Sequence, residues 1–231
     1  MRLRILFAVF ALNVCFAIGF FYEEILFFMV SSLGTGWVFT TIFLRLMAMI
    51  SCWFGFRYLF SIWTKTRKIK GWIVFAGSMC IGFGISMISP IYQGDYGYVV
   101  YGEKSLNIAA LTVASQNKFE TGKGPQVITF MELGCAHCKR LCYKLGVNVA
   151  AGQKIPVTAF FVASEAEIST FLKKYNGEAF TAYPLDKAVF LDNAGFSFPS
   201  TFLIDSDGKT LNHWQGDLVN YTALDYLLDL E

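Results

Sequence analysis

Three stretches near the amino terminus, roughly residues 3–22, 45–63 and 71–92, are apolar over the ~20 residues that a helix needs to cross a bilayer. A backbone buried in hydrocarbon has no water to satisfy its N–H and C=O groups, so such stretches are committed to helix. A fourth uncharged run, 25–44, separates the first two and is rich in Ser, Thr and Gly (SSLGTG). The basic residues limit how these runs can be threaded. Arg2 and Arg4 begin the chain, and Lys65, Arg67, Lys68 and Lys70 follow the second run. The positive-inside rule places both groups in the cytoplasm, which requires an even number of crossings between them. The expected membrane region is therefore α-helical with three transmembrane helices. Segment 25–44 is expected as a re-entrant or interfacial piece on the outer side, or as the lead-in to the second span; counted as a span, it would make four. Residues 1–22 carry no small-x-small cleavage site and are expected to stay as an anchor. Trp72 and Tyr92 bracket the third run, as interfacial aromatics do. Arg57 lies about 9 Å from the inner end of the second run at ~1.5 Å per residue, within snorkelling reach of the interface.

The charge balance divides the chain at the same place. Residues 1–94 hold eight Lys/Arg and two Glu, whereas 95–231 hold eleven Lys/Arg and fifteen Asp/Glu. A basic, apolar part thus precedes a mildly acidic one of ordinary composition. The basic residues form no stripe, and nucleic acid is not an expected partner. The expected divisions are a transmembrane region at 1–94, a linker and extension at 95–124, and a folded domain at 125–231. Three crossings that start inside leave 95–231 outside. In a bacterium this is an inner-membrane protein with its folded domain in the periplasm, where disulfide chemistry is at home.

The second part reads as an alternating α/β chain. QVITFMEL (126–133) is a β-rich run that ends at Gly134, and CAHCKRLCYKLGV has helical character. Cys135 therefore sits where a strand hands over to a helix. The helix dipole and free N–H groups there favour an anion, so the thiolate of Cys135 is expected to be stabilised, with His137 adding charge when protonated. Cys138 follows one turn later, within reach of a disulfide with Cys135. Further on, IPVTAFFVA reads as a buried strand. SEAEISTFLKKY reads as a helix with a capping box from Ser164 and Glu167. AFTAYPLD is a short extended piece, and DKAVFLDNAG a short helix closed by Gly195. FPSTFLID and KTLNHWQG make a hairpin across DSDGK, and NYTALDYLLDL is a final amphipathic helix.

A C-x-x-C at a strand–helix junction, followed by this element order and by FPSTFLIDSDGKTLNHWQGD, resembles a thioredoxin-like domain over about 125–231. The extra helix and YPLD resemble the membrane-tethered TlpA-like branch. The resemblance implies an α/β thioredoxin-like fold and a thiol–disulfide oxidoreductase without a cofactor or metal. It implies Cys135 as nucleophile, Cys138 as resolving thiol, and Pro199 as a cis-proline facing them, with Phe198 offering its backbone to a substrate strand. His137 occupies a position shared with oxidising members, whereas the TlpA-like context implies a reductant, so both directions of electron flow stay open. The implied partners are periplasmic thiol or disulfide proteins, a membrane electron donor, and the bilayer itself. Two positions depart from the family. Gly134 stands where an aromatic usually precedes the first cysteine, and Thr129 replaces a buried acid; Glu132 reads first as a solvated side chain, with a substitute proton carrier as its sharper reading. Residues 1–94, with RLMAMISCWFG read as a helix beginning at an Arg, resemble the DoxX/MauE-like redox-associated membrane proteins.

The remaining cysteines have a plain reading and a sharper one. Cys142 shares a helical face with Cys135 and Cys138 and reads first as a small buried side chain. With Cys138 it has the spacing of copper-delivering thioredoxin-fold proteins, for which His213 would be the distant ligand; the alternative function is thus copper binding or assembly. His213 is otherwise expected on a strand with one face to solvent. Cys15, Cys52 and Cys80 read first as packing residues. Cys15 and Cys52 each lie seven residues from the outer end of a span, both about 10 Å deep at ~1.5 Å per residue. They are therefore at the right height to pair and to pass electrons outward.

Overall fold

The computed structural model describes residues 2–63, 71–88, 104–122, 124–216 and 219–230. The basic cluster at 65–70 and Tyr92 lie outside the described residues. The backbone divides into a helical unit, 1–30 with 35–92, and a larger unit formed principally by 93–231.

The helical unit contains α1 (Arg2–Phe20), α2 (Tyr22–Leu33), α3 (Trp37–Trp63) and α4 (Gly71–Ser86). Two helical segments, Leu3–Phe20 and Trp37–Phe60, are long and apolar enough to cross a membrane, while Gly71–Ser86 is shorter. The second run differs from its expected bounds. The helix does not begin near residue 45 but at Trp37, so α3 absorbs the end of 25–44, and α2 takes most of the rest. The physical reason lies at Gly34, which adopts φ 64° and breaks the chain. Beyond that break, WVFTTIFL contains nothing that stops a helix. The Thr40 and Thr41 hydroxyls turn back to the Gly36 and Val38 carbonyls and so cost the apolar helix no unsatisfied donor. Arg45 is consequently two turns inside α3 rather than at its start. It is buried, donates to the Ser86 carbonyl at 2.9 Å, and lies 4.8 Å from the centroid of the Tyr22 ring. The outward faces of α1 and α3 carry exposed Leu6, Phe10, Phe20, Phe39 and Phe54.

The larger unit is a mixed sheet flanked by helices. Its strands are β1 (Gln126–Phe130), β2 (Val157–Phe161), β3 (Thr181–Pro184), β4 (Ser200–Ile204) and β5 (Thr210–Gln215). They are ordered β3-β2-β1-β4-β5. β1–β2 and β2–β3 are parallel, and β4 is antiparallel to both β1 and β5. All residues of β1, β2 and β4 are buried, which is why these strands read as unbroken apolar runs rather than alternating ones. The parallel pairs require crossovers, which α6 (Ala136–Ala150) and α7 (Glu165–Lys174) provide; α8 (Lys187–Ala194) and α9 (Tyr221–Asp229) follow. The capping box of α7 forms as the sequence implies, with Ser164 and Glu167 bonding reciprocally. Gly195, at φ 81°, ends α8 in a conformation open to glycine. This α/β sheet with surrounding helices accords with a thioredoxin-like fold.

One face of the sheet is aromatic. Phe130 contacts Phe160, Phe190 and Phe202 at centroid distances of 5.4, 5.5 and 6.0 Å. This core also takes Leu106, Leu111 and Phe119 from a segment expected to be linker. That segment forms α5 (Ile108–Ala114), whose N-cap Asn107 accepts the Ala110 N–H at 3.0 Å. Asn107 is tied in turn to Asn193 of α8, so 104–121 is built into the unit.

Candidate active site

β1 ends at Phe130, and the next four residues lead to Cys135, which is the N-cap of α6. Its extended backbone aims the sulfur at the open end of the helix, where it accepts the Cys138 N–H at 3.2 Å. The cysteine thus occupies the place that Ser or Asp takes in ordinary caps, and a sulfur anion here meets a directed donor as well as the positive end of the helix. Cys135 is half-buried, Cys138 is fully buried, and Ala136 and His137 between them are exposed. The order is the useful one for exchange: one sulfur open to a partner and one held beneath it.

Cys138 accepts the Glu132 N–H at 3.5 Å. Burial pushes its thiol far above the ordinary range, reinforced by hydrogen bonding with Cys135 and by the negative charges of Cys135 and Glu132. Below the sheet end, Thr129 and Thr201 exchange a hydroxyl contact of 3.0 Å, both fully buried. Thr129 therefore sits in a self-satisfied hydroxyl pair with Thr201.

The other wall of the site comes from β4. The Phe198–Pro199 peptide is cis. The Phe198 carbonyl lies 3.8 Å from Cys135 Sγ, which donates to it, and the Phe198 ring packs on Phe190 at 5.3 Å. Gly216 N–H closes on the Pro199 carbonyl at 2.7 Å, tying the proline loop to the end of β5. Cys135, Cys138, His137 and the Phe198–Pro199 turn are thus gathered at one end of the sheet.

Cys142 and His213 are placed apart from each other. Cys142 is buried on α6, burial raises its thiol to about 12, and its sulfur would lie 2.7 Å from a Cβ on Gly177. It fills a slot. His213 lies on the aromatic face, stacked on Phe202 at 4.0 Å with its Nε2 3.0 Å from Ser200 Oγ. It is buried rather than half open to solvent, because β5 packs its ring flat against the core. Burial, and then the charge of Lys104, lower its pKa to about 4. Among the described residues no group of three His, Cys, Asp or Glu is disposed to hold a metal ion, so Cys138, Cys142 and His213 do not form the copper site that their spacing suggested. The Ser200–His213 pair was not anticipated. The signal was available in the hairpin, where register pairs Phe202 with His213 and leaves Ser200 as a diagonal neighbour on the same face.

No family model and no curated protein matches the sequence. Part of the chain is similar to several solved structures. A secreted Mycobacterium tuberculosis disulfide oxidoreductase homologous to E. coli DsbE is 17% identical over 47% of this chain and 82% of that one, with a TM-score of 0.39. StoA from Bacillus subtilis is 13% identical over 48% of this chain and 86% of that one, with a TM-score of 0.38. The thioredoxin domain of a thiol-disulfide oxidoreductase from Bacteroides vulgatus is 15% identical over 59% and 99%, with a TM-score of 0.37.

Proposed function

We propose that this protein is a membrane-anchored thiol–disulfide oxidoreductase whose α/β unit works outside the cytoplasm through Cys135 and Cys138. The observation that carries this reading is the asymmetry of the two sulfurs. Cys135 is reachable and capped by the Cys138 N–H at 3.2 Å, while Cys138 is buried one turn along the same helix. The thiolate of Cys135 attacks one sulfur of a partner's disulfide, the partner's other sulfur leaves with a proton, and Cys138 then displaces the partner from the mixed disulfide. The partner gains two electrons and two protons, and Cys135–Cys138 becomes the disulfide; the reverse sequence oxidises a partner dithiol. His137 lies exposed between the two cysteines. The Phe198 carbonyl, next to Pro199, offers an acceptor to an extended segment of the partner.

The anchoring rests on α1 and α3. Their exposed Leu and Phe side chains would be an adhesive patch in water and need no cover in lipid. Phe7 meets Tyr58 while Leu12 meets Gly55, so the two helices run antiparallel, which would return the chain after α3 to the side where it began, in keeping with basic residues at 2–4 and 65–70. A third crossing, through the α4 run, would put the α/β unit outside. Extracytoplasmic thiol or disulfide proteins are then the partners, with a membrane redox protein as the source or sink of electrons. Cys138→Ser in the full chain tests the reading: it should accumulate mixed disulfides with partner proteins, and Cys135→Ser should abolish them. Equal trapping by both variants, or by neither, would refute it.

A further inference from the structure

Cys15 on α1 and Cys52 on α3 are fully buried, and the contacts of Phe7 with Tyr58 and of Gly55 with Leu12 run the two helices past each other so that the two cysteines come level. Neither takes part in the site at Cys135. Disulfide closure needs Cα atoms about 4.4–6.8 Å apart, and small residues at a helix contact let two backbones approach closely. Such residues are present at this level. A Cβ on Gly55, one turn from Cys52, would lie 2.6 Å from Leu12 Cγ and 3.4 Å from the Ala8 carbonyl oxygen. A Cβ on Gly82 of α4 would lie 2.8 Å from Cys52 Cβ and 2.7 Å from Met49 Cα. Glycines therefore bring α1, α3 and α4 together around the two thiols. Cys80, by contrast, is exposed on the outer side of α4.

We infer that Cys15 and Cys52 are a second thiol–disulfide centre, inside the helical unit, that exchanges electrons with a lipophilic disulfide. One of the two thiols, on losing its proton, attacks a sulfur of the incoming disulfide, whose other half leaves as a thiol. The neighbouring cysteine then attacks the mixed disulfide and releases the second half. A Cys15–Cys52 bond forms, the incoming S–S bond breaks, and two electrons and two protons pass to the released thiols. This centre is independent of the reading given for Cys135 and Cys138.

The test uses the reduced full chain in lipid vesicles and 2,2′-dipyridyl disulfide, a small apolar disulfide. Tryptic cuts after Arg4, Arg45 and Arg57 leave Cys15 and Cys52 on separate peptides, so their disulfide is read directly by mass. The expected product joins those two peptides with no pyridyl group on either, while Cys80 keeps its adduct. Separate adducts on Cys15 and Cys52, or two unmodified thiols beside a labelled Cys80, would overturn the proposal. The chain carrying both Cys135→Ser and Cys138→Ser should give the same cross-link. Its loss there would overturn the lipophilic disulfide as co-reactant, whatever becomes of the Cys135–Cys138 reading.

Discussion

Lowering the pH from about 7.5 to about 4.5 should destabilise the α/β unit through His213, by an amount that follows from proton linkage. The ring is packed on Phe202 and bonded to Ser200, and burial with the nearby Lys104 lowers its pKa from 6.5 to about 4. An unfolded chain protonates this histidine once the pH falls below its ordinary value; the folded chain resists until about 4. The unfolded state therefore binds more protons in that window. The histidine's contribution is fully present above the unfolded value and is lost as the pH falls towards the folded one. Over the stated interval the loss cannot exceed about 2.6 kcal/mol, and residual solvent access reduces it to about 1–2 kcal/mol. The assay is urea unfolding of the full chain in mild detergent, followed by Trp214, which is fully buried beside His213 in β5. Trp214→Phe measures the background from the tryptophans of the helical unit. Carboxylates such as Glu167, whose pKa is lowered by its bonds to Ser164, also titrate at the acid end, so the informative quantity is wild type minus His213→Gln. An equal pH dependence in both would refute the argument that the fold keeps this ring neutral.

Three further outcomes follow from the geometry. Pulsed alkylation of the reduced chain at neutral pH should modify Cys135 before Cys138 or Cys142, by about 100-fold, with mass mapping as the readout, since the latter two are buried and their thiols are held protonated. Gly146→Ala should destabilise the α/β unit by more than about 3 kcal/mol in the same urea titration, because the new methyl would lie 1.8 Å from the Asn176 carbonyl oxygen. Ser164→Ala should cost only about 1 kcal/mol, measured likewise, because it removes one exposed cap of α7 and leaves the core intact.

The strands and caps of the α/β unit were legible because each had a local cause. Unbroken apolar runs gave β1, β2 and β4; Ser164 with Glu167 gave the start of α7; Gly195 gave the end of α8. Cys135 at a strand–helix junction could be placed as a cap because the chain changes from β-rich to helical there. Three features were not legible. α5 has only seven residues, too few for a periodic pattern, and its value lies in contacts with β1 and α8 far along the chain. The start of α3 was hidden because apolar composition marks a run without marking its ends, and a single Gly34 conformation sets the boundary. The burial of His213 depends on a cross-strand stack with Phe202, which a hairpin drawn only as alternating residues does not decide. The helical unit behaved similarly. The depth of Cys15 and Cys52 could be counted along each helix, whereas their juxtaposition depends on glycines one turn away and on a third helix.

Equilibration of the full chain in graded thiol–disulfide buffers, with acid quenching and mass mapping of each cysteine, bears most directly on the central claim. One two-electron transition is expected, which joins Cys135 to Cys138 and leaves Cys142 a thiol throughout. A midpoint near about −120 mV would identify an oxidant and one near about −270 mV a reductant. A chain in which Cys135 and Cys138 stay unjoined across the whole range, or in which Cys138 bonds to Cys142 instead, would contradict it.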